Sequence, residues 1–239
     1  MSGADGPLLV DATGAVRPVV TTGGNGAPTE PGDTALPSLY GQSLLRGTKI
    51  LPLPSPRDLP TTGAYVAPTG RLVVATTGID GTAPWASDDG TAWDGSILVG
   101  TDTATPLLTG RGDHVAMVLL GDAPDGSIPV LSVHLSHDVG RTWTRVDGLA
   151  PEGGDPPSNV SSATVMPDGT TYLATESHHV LRIDPDGNAL PIQLSSSDRS
   201  VFAIGDVVCA VSEAGRYDQL YCSTDGGTGW SPRPLPGLR

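Results

Sequence analysis

The sequence predicts an all-β fold, a β-propeller of four-stranded antiparallel blades, and three observations lead there. Apolar runs such as Leu72-Val73-Val74-Ala75 and Val115-Ala116-Met117-Val118-Leu119-Leu120 are short and sharply bounded. The 32 Gly and 23 Pro fall between these runs, where tight turns need them, and not within them. One pattern then recurs: an apolar strand, a turn of Asp, Gly, Thr or Pro, and a second apolar strand. A chain of 239 residues is long enough for one large all-β domain, and 1–239 reads as a single propeller.

Taken in order, the pattern first appears as Leu8–Val20, a hairpin turning at Thr13-Gly14. Residues 23–37 are rich in Gly, Pro and Thr and read as an exposed loop or linker. Further hairpins follow at Leu44–Leu53, Ile97–Leu108, Val133–Val146, Val180–Leu194 and Leu220–Leu235. Four of these are preceded by another hairpin: Ala64–Ala75, Val115–Val133, Ser162–Ala174 and Val201–Val211. Four strands every roughly 40–50 residues is the period of a propeller blade. The expectation is about five to six blades, with the first ones irregular.

Two octapeptides occupy equivalent turns of the repeat. Ser136-His137-Asp138-Val139-Gly140-Arg141-Thr142-Trp143 fits S-x-D-x-G-x-T-W at every defined position, and Ser223-Thr224-Asp225-Gly226-Gly227-Thr228-Gly229-Trp230 departs from it only at Gly229. On these residues the chain resembles the Asp-box (BNR-repeat, sialidase-like) propellers. That family includes sialidases, other glycan-active or glycan-binding proteins, and non-enzymatic assembly factors. The turn is a folding device: its Asp accepts backbone N–H bonds, its Gly permits a positive φ, and its Trp packs on the sheet. Ser136, Asp138, Gly140, Trp143, Ser223, Asp225, Gly227 and Trp230 are accordingly structural. Asp184-Pro185-Asp186-Gly187 reads as a degenerate copy. Ser87-Asp88-Asp89-Gly90-Thr91-Ala92-Trp93 is one residue too short, and reads as part of a long connection from Thr77 to Gly95 between the second and third strands of its blade.

The resemblance implies that ligands bind on the face opposite the Asp-box turns, where connections within and between blades gather. It gathers Trp85, Trp93, Asp89, Arg111, Arg199, Glu176, Glu213, Arg216 and Tyr217 there, together with Arg57, Asp58, Asp113, Asp122 and Asp125. Two Trp on one polar loop would offer flat apolar faces to a sugar ring or a partner protein. The implied function is a non-catalytic extracellular binding propeller for a glycan or a protein surface. The alternatives are a sialidase-type glycoside hydrolase and a scaffold module of a larger secreted or surface assembly. Family sialidases use an Arg triad, a Tyr nucleophile with a Glu, and an acid/base Asp. Their Arg-Ile-Pro type motif is absent here, and Leu45-Arg46-Gly47-Thr48 does not match it.

Composition narrows the partners. A net charge of −13 disfavours nucleic acid, whose phosphates call for clustered Lys and Arg. No apolar run approaches a membrane span, so direct membrane insertion is not expected. No export signal is read in this chain, so the extracellular or cell-surface expectation rests on the resemblance. No phosphate loop, Gly-x-Ser-x-Gly elbow or zinc ligand spacing occurs, and neither a cofactor nor a metal is expected. Cys209 and Cys222 flank a turn at Gly215 and lie within reach of a cross-strand disulfide if both sit on one hairpin; two reduced, buried thiols are the alternative.

Overall fold

The structure is a computed structural model that describes residues 8–10, 16–18, 20–21, 28–38, 41–47, 49–56, 59–78, 81–95, 104–149, 157–176, 179–192, 198–212 and 219–234. A small hairpin of β1 (Leu8–Val10) and β2 (Val16–Pro18) precedes five four-stranded sheets. The first sheet comprises β3 (Val20–Thr21), β4 (Thr34–Ser38), β5 (Gly41–Arg46) and β6 (Lys49–Pro52), in the order β3-β6-β5-β4. The second holds β7 (Thr61–Val66), β8 (Leu72–Gly78), β9 (Gly81–Ser87) and β10 (Asp94–Gly95). The third holds β11 (Thr105–Arg111), β12 (His114–Leu120), β13 (Val130–Ser136) and β14 (Thr144–Val146). The fourth runs β15 (Ser162–Val165), β16 (Thr171–Thr175), β17 (His179–Ile183) and β18 (Ala189–Ile192). The fifth runs β19 (Asp198–Ile204), β20 (Val207–Ser212), β21 (Gln219–Ser223) and β22 (Ser231–Pro234). The sheets stand as blades in a ring, a five-bladed β-propeller.

Blades bury both faces, which is why their central strands read as continuous apolar runs and not as alternating ones. On β12, Val115, Met117 and Leu119 pack toward the second sheet, and Ala116 and Val118 pack toward the fourth. Between the fourth and fifth sheets lie Met166, Tyr172, Ala174, Val180, Val201, Val208 and Ala210. Leu44 carries the first sheet onto Val66, Leu72, Val74, Ala83 and Trp85 of the second. The outer strand β18 has solvent on one side, and its Leu190 is exposed.

The first sheet departs from the regular pattern, as expected of the irregular N-terminal region. Its outer strand β3 joins parallel to β6, pairing Val20 with Lys49, whereas every other pair within the five sheets is antiparallel. The loop or linker expected over 23–37 is corrected in part: Thr34–Pro37 belong to β4. Ahead of β4, Asp33 is buried and fixed, accepting from Arg46 Nε (2.9 Å), Arg46 Nη2 (2.9 Å) and the Glu30 N–H (2.9 Å). Burial opposes its charge, but these bonds hold the Asp33 carboxyl below the ordinary carboxylate range. Residues 22–27 lie outside the described residues.

A second correction concerns the second blade. The hairpin expected over Ile97–Leu108 is not its outer half. That half is β9 and β10, and Leu107 and Leu108 belong to β11 of the next blade. Gly81-Thr82-Ala83-Pro84-Trp85-Ala86-Ser87 has small residues and a Pro where strands are usually β-branched, which hides it from pattern reading. Every one of these residues is buried, so burial between two blades stands in for propensity.

Cys209 and Cys222 face each other across β20 and β21 and form a disulfide, 13 residues apart in sequence. Closing a loop of this length contributes about 3 kcal/mol in the chain-entropy picture. We predict that reductant, or Cys209→Ala with Cys222→Ala, lowers the thermal midpoint by about 6–12 °C, the equivalent of that energy for a domain of this size. Differential scanning calorimetry with and without dithiothreitol checks this, and equal midpoints would contradict it.

Candidate functional site

The two ends of the blades are built differently. At one end lie the turns that join the third and fourth strands of each sheet. Ser136 Oγ accepts from the Gly140 N–H (2.8 Å) and donates to Asp138 Oδ1 (2.8 Å). The same carboxylate accepts from the Thr142 N–H (2.8 Å) and Thr142 Oγ1 (2.7 Å). Ser223 and Asp225 repeat the arrangement with the N–H groups of Gly227 (2.8 Å) and Gly229 (2.9 Å). Gly140 has φ +77°, and a Cβ there would meet Val73 of the neighbouring blade at 3.0 Å, so the fifth position demands glycine on two counts.

The shortened copy at Ser87–Trp93 is the same kind of turn. Asp89 Oδ1 accepts from the N–H groups of Thr91 (2.7 Å) and Ala92 (3.1 Å), and Asp89 Oδ2 from Thr91 Oγ1 (2.7 Å). It joins β9 to β10, so the expected long connection over Thr77–Gly95 is corrected, and Asp89 stands at the turn end of the blade. Trp85 lies within β9, only 9% exposed, with its indole N–H donating to Thr76 Oγ1 (2.9 Å). Trp93 packs beside it on the core between the first and second blades. The pair is a core element and not an exposed platform.

Hydrogen bonds to these aspartates favour the charged form. They hold Asp89 well below the carboxylate range and Asp225 down to about 2. In Asp138 they outweigh burial, which pulls the other way. Their contribution is present above the unfolded-state carboxylate pKa and fades as pH falls through the depressed values.

Arg111 also stands at this end. Arg111 and His114 pair across the two-residue turn Gly112-Asp113, and the Asp113 carbonyl accepts from the Val139 N–H (2.9 Å). The Arg111–Asp113 segment, expected on the face opposite the Asp-box turns, is thus a hairpin turn within the third blade at the turn end. Gly112, at φ +59°, lets β11 run straight into β12. Beside it, His114 and His137 meet with Nδ1 atoms 2.8 Å apart.

At the opposite end, a ledge spans the third and fourth blades. The β12–β13 loop, Gly121–Pro129, docks on residues 157–161 through a Pro129–Ser158 bridge and a Val130 N–H bond to the Pro157 carbonyl (2.8 Å). Asn159 fastens it. Its backbone N–H donates to the Ile128 carbonyl (2.8 Å), its Oδ1 accepts from the Ile128 N–H (2.9 Å), and its Nδ2 donates to Glu176 Oε2 (2.5 Å). Asn159 adopts φ +52°, a conformation Asn tolerates better than most residues. Asp125 caps its own turn, accepting from the Ser127 N–H (2.9 Å) and Oγ (2.7 Å). Ile128 and Leu131 are each 41% exposed at this end.

Glu176 therefore stands where expected, on the end opposite the Asp-turns, and Asn159 is its partner. Arg111 is at the other end of seven-residue strands, about 20 Å away at the rise of a β-strand. Glu213, Arg216, Tyr217, Arg57 and Asp58 lie outside the described residues, as does the side chain of Arg199. Sequence reading missed Ile128, Leu131 and Asn159. The signal for the first was Ile128 itself, an apolar residue in a polar Asp-Gly-Ser turn. Among the described residues no three His, Cys, Asp or Glu side chains gather to hold a metal, and no helix is long and apolar enough to cross a membrane.

No family model matches the chain, and no curated protein matches it in sequence. Solved structures share its fold at low identity. An ancestral GH74 enzyme is 16% identical at TM-score 0.52, covering 91% of this chain and 32% of its own. BBS1N in complex with ARL6DN is 14% identical at TM-score 0.52, covering 94% and 70%. YCF48 bound to D1 peptide is 15% identical at TM-score 0.46 over 76% of this chain, which spans 57% of that protein. An enzyme thus occurs among the structures sharing the fold.

Two variants probe the polar framework. Asp138→Ala leaves the Thr142 N–H and Ser136 without their acceptor, and an expected loss of about 1–3 kcal/mol is read from urea midpoints. His134 is buried beside Ser132, and burial, aided by Arg145, pushes its pKa down to about 4. The unfolded chain then binds the extra proton first as pH falls below about 6.5, so stability drops toward pH 4. Between pH 7 and 5 the loss attributable to His134 is about 2 kcal/mol. His134→Gln is expected to remove that part of the slope, and an unchanged slope would refute the assignment.

Proposed function

We propose that this chain is a non-catalytic, extracellular binding propeller that recognises a partner protein surface through the ledge at Gly121–Pro129. The observation that carries the reading is the exposed pair Ile128 and Leu131, on backbone fastened to the neighbouring blade by Asn159. A rigid ledge loses little entropy on binding, and apolar groups fixed in place serve as anchors. Asp122, Asp125 and Glu176 border them, so the complementary partner presents basic groups around an apolar centre. The likeness to a propeller solved in complex with a protein, BBS1N with ARL6DN, is in keeping with this but bears on the fold alone. The repeated Ser-x-Asp turns support the proposed kinship with Asp-box propellers, and the Cys209–Cys222 disulfide supports an oxidising compartment.

The test is a peptide array and a glycan array probed side by side with the native chain, Ile128→Asp and Leu131→Asp. Peptides combining basic and apolar residues are expected to bind the native chain and to lose binding in the ledge variants, with thermal midpoints unchanged. Glycan binding without peptide binding would replace the protein partner by a sugar. Turnover of an aryl glycoside would overturn the non-catalytic reading.

A further inference from the structure

The junction of the third and fourth blades differs from the others at the turn end. At three of the four described junctions the donor that meets the next blade's outer turn is the Thr29 backbone amide or the guanidinium of Arg71 or Arg182. At the third it is His137, whose Nε2 lies 3.1 Å from the Pro185 carbonyl. Amide and guanidinium donors keep their hydrogens at ordinary pH, whereas imidazole gains or loses one near neutrality. A carbonyl only accepts, so His137 Nε2 carries a hydrogen, and Nδ1 of the neutral ring presents a lone pair. That lone pair faces His114 Nδ1 at 2.8 Å, with the ring planes inclined at 71°. His114 Nδ1 therefore donates, and this one N–H···N bond fixes the tautomer and orientation with which His137 reaches Pro185. The β15–β16 turn of the fourth blade closes in on the contact. A Cβ on Gly169 would meet His114 Nδ1 at 2.9 Å and His137 Cε1 at 3.2 Å, so the rings have no room to part on that side.

The bond has room for one hydrogen. A pair with one added proton still shares a hydrogen between the facing nitrogens, because His114 can carry its own on Nε2. A second added proton puts hydrogens on both Nδ1 atoms, and repulsion between two imidazolium rings replaces the bond. We propose that His114 and His137 form an acid-released latch: one shared hydrogen holds the third blade to Pro185 of the fourth, and two separate ones let it go. Burial and the facing His137 ring hold His114 below the ordinary imidazole range, although Asp113, Asp168 and the Pro167 carbonyl favour its charge. The other charged groups nearby are engaged elsewhere or stand aside. Asp138 and Asp184 are bound into their own turns by Thr142 and Asn188. Arg141 pairs with Asp88 (3.6 Å), Arg111 stands across the hairpin from His114, and Asp186 follows Pro185 on the exposed side of its turn. The latch is independent of the ledge and stands whether or not the ledge binds a protein.

Nitrogen-15 NMR of the full chain tests the bond directly. At pH 7.5 the two Nδ1 atoms are expected to show scalar coupling through the shared hydrogen, and at pH 4.5 none. Hydrogen exchange read by mass spectrometry tests the release. After correction for intrinsic rates, amides of residues 184–188 are expected to exchange about tenfold faster at pH 4.5, as for the loss of one hydrogen bond. The equivalent turn at 226–229, met by Arg182, is expected to show no such change, which separates the latch from a general loosening in acid. His137→Gln still offers Pro185 an amide donor but does not titrate, so residues 184–188 should then exchange alike at both pH values. Absent coupling at pH 7.5, residues 184–188 indifferent to pH in the native chain, or a pH response that survives His137→Gln would overturn the proposal.

Discussion

Successive blades are held together at one end by a repeated polar contact: an outer turn offers a backbone carbonyl to the blade before it. The Asp89 carbonyl accepts from the Thr29 N–H of the first blade (3.1 Å), and the Val139 carbonyl from Arg71 Nε of the second (3.0 Å). The Pro185 carbonyl meets His137 Nε2 of the third blade (3.1 Å), and the Gly226 carbonyl accepts from Arg182 Nε of the fourth (3.0 Å). In the two octapeptides the accepting residue is the fourth, and both, Val139 and Gly226, have positive φ. The Ser and Asp side chains satisfy the turn internally, and this leaves that carbonyl free to face outward. Arg71 shows what depends on it: only 3% exposed, it also binds Asp88 (2.6 Å) and Asp94 (3.2 Å) of its own blade. A guanidinium so buried needs all three acceptors, because an unpaired charge there would cost several kcal/mol.

This contact divides the molecule into two functional ends. The turn end spends its polar groups on its neighbours: Asp89, Asp138 and Asp225 on their own turns, Arg71 and Arg182 on the adjoining blades. Among the described residues, Arg111 and the His114–His137 pair also stand at that end. The other end joins the third and fourth blades through a loop instead. Its longest described loop, Gly121–Pro129, is fixed by Asn159, the Pro129–Ser158 bridge and the Val130 N–H bond to Pro157, and bears exposed apolar groups. Polar fastening at one end and a fixed loop at the other is the arrangement by which a scaffold carries a binding surface.

What the sequence revealed follows the same division. The octapeptides were legible because their chemistry is local: Ser, Asp, Gly and Thr bond to each other within eight residues. The central strands were legible because two-sided burial makes them continuously apolar. β9 was hidden because small residues and a Pro are accommodated by packing from both sides, a fact of tertiary structure and not of local pattern. That error displaced Trp85, Trp93 and Asp89 to the wrong end of the blade. Arg111 was misplaced for a related reason, since a two-residue turn inside a hairpin and a tight connection between blades look alike in sequence. The ledge was illegible because Asn159 and Ile128 are 31 residues apart, and only the packing of two blades brings them together.

The terminal blades expose the limits of the carbonyl contact. An inner blade is gripped on both flanks, whereas among the described residues no buried apolar cluster joins the fifth blade to the first. A sheet packed firmly on one side must draw more of its order from within. Both terminal blades carry such internal fastening. In the first, the Arg46 guanidinium forks onto Asp33, Glu30 and the Pro28 carbonyl, tying the end of β5 to the segment that enters β4. In the fifth, the covalent link between Cys209 and Cys222 holds the two central strands in register. The chain's sole disulfide thus falls in a terminal blade, where a slipped register would meet the least resistance from neighbouring side chains.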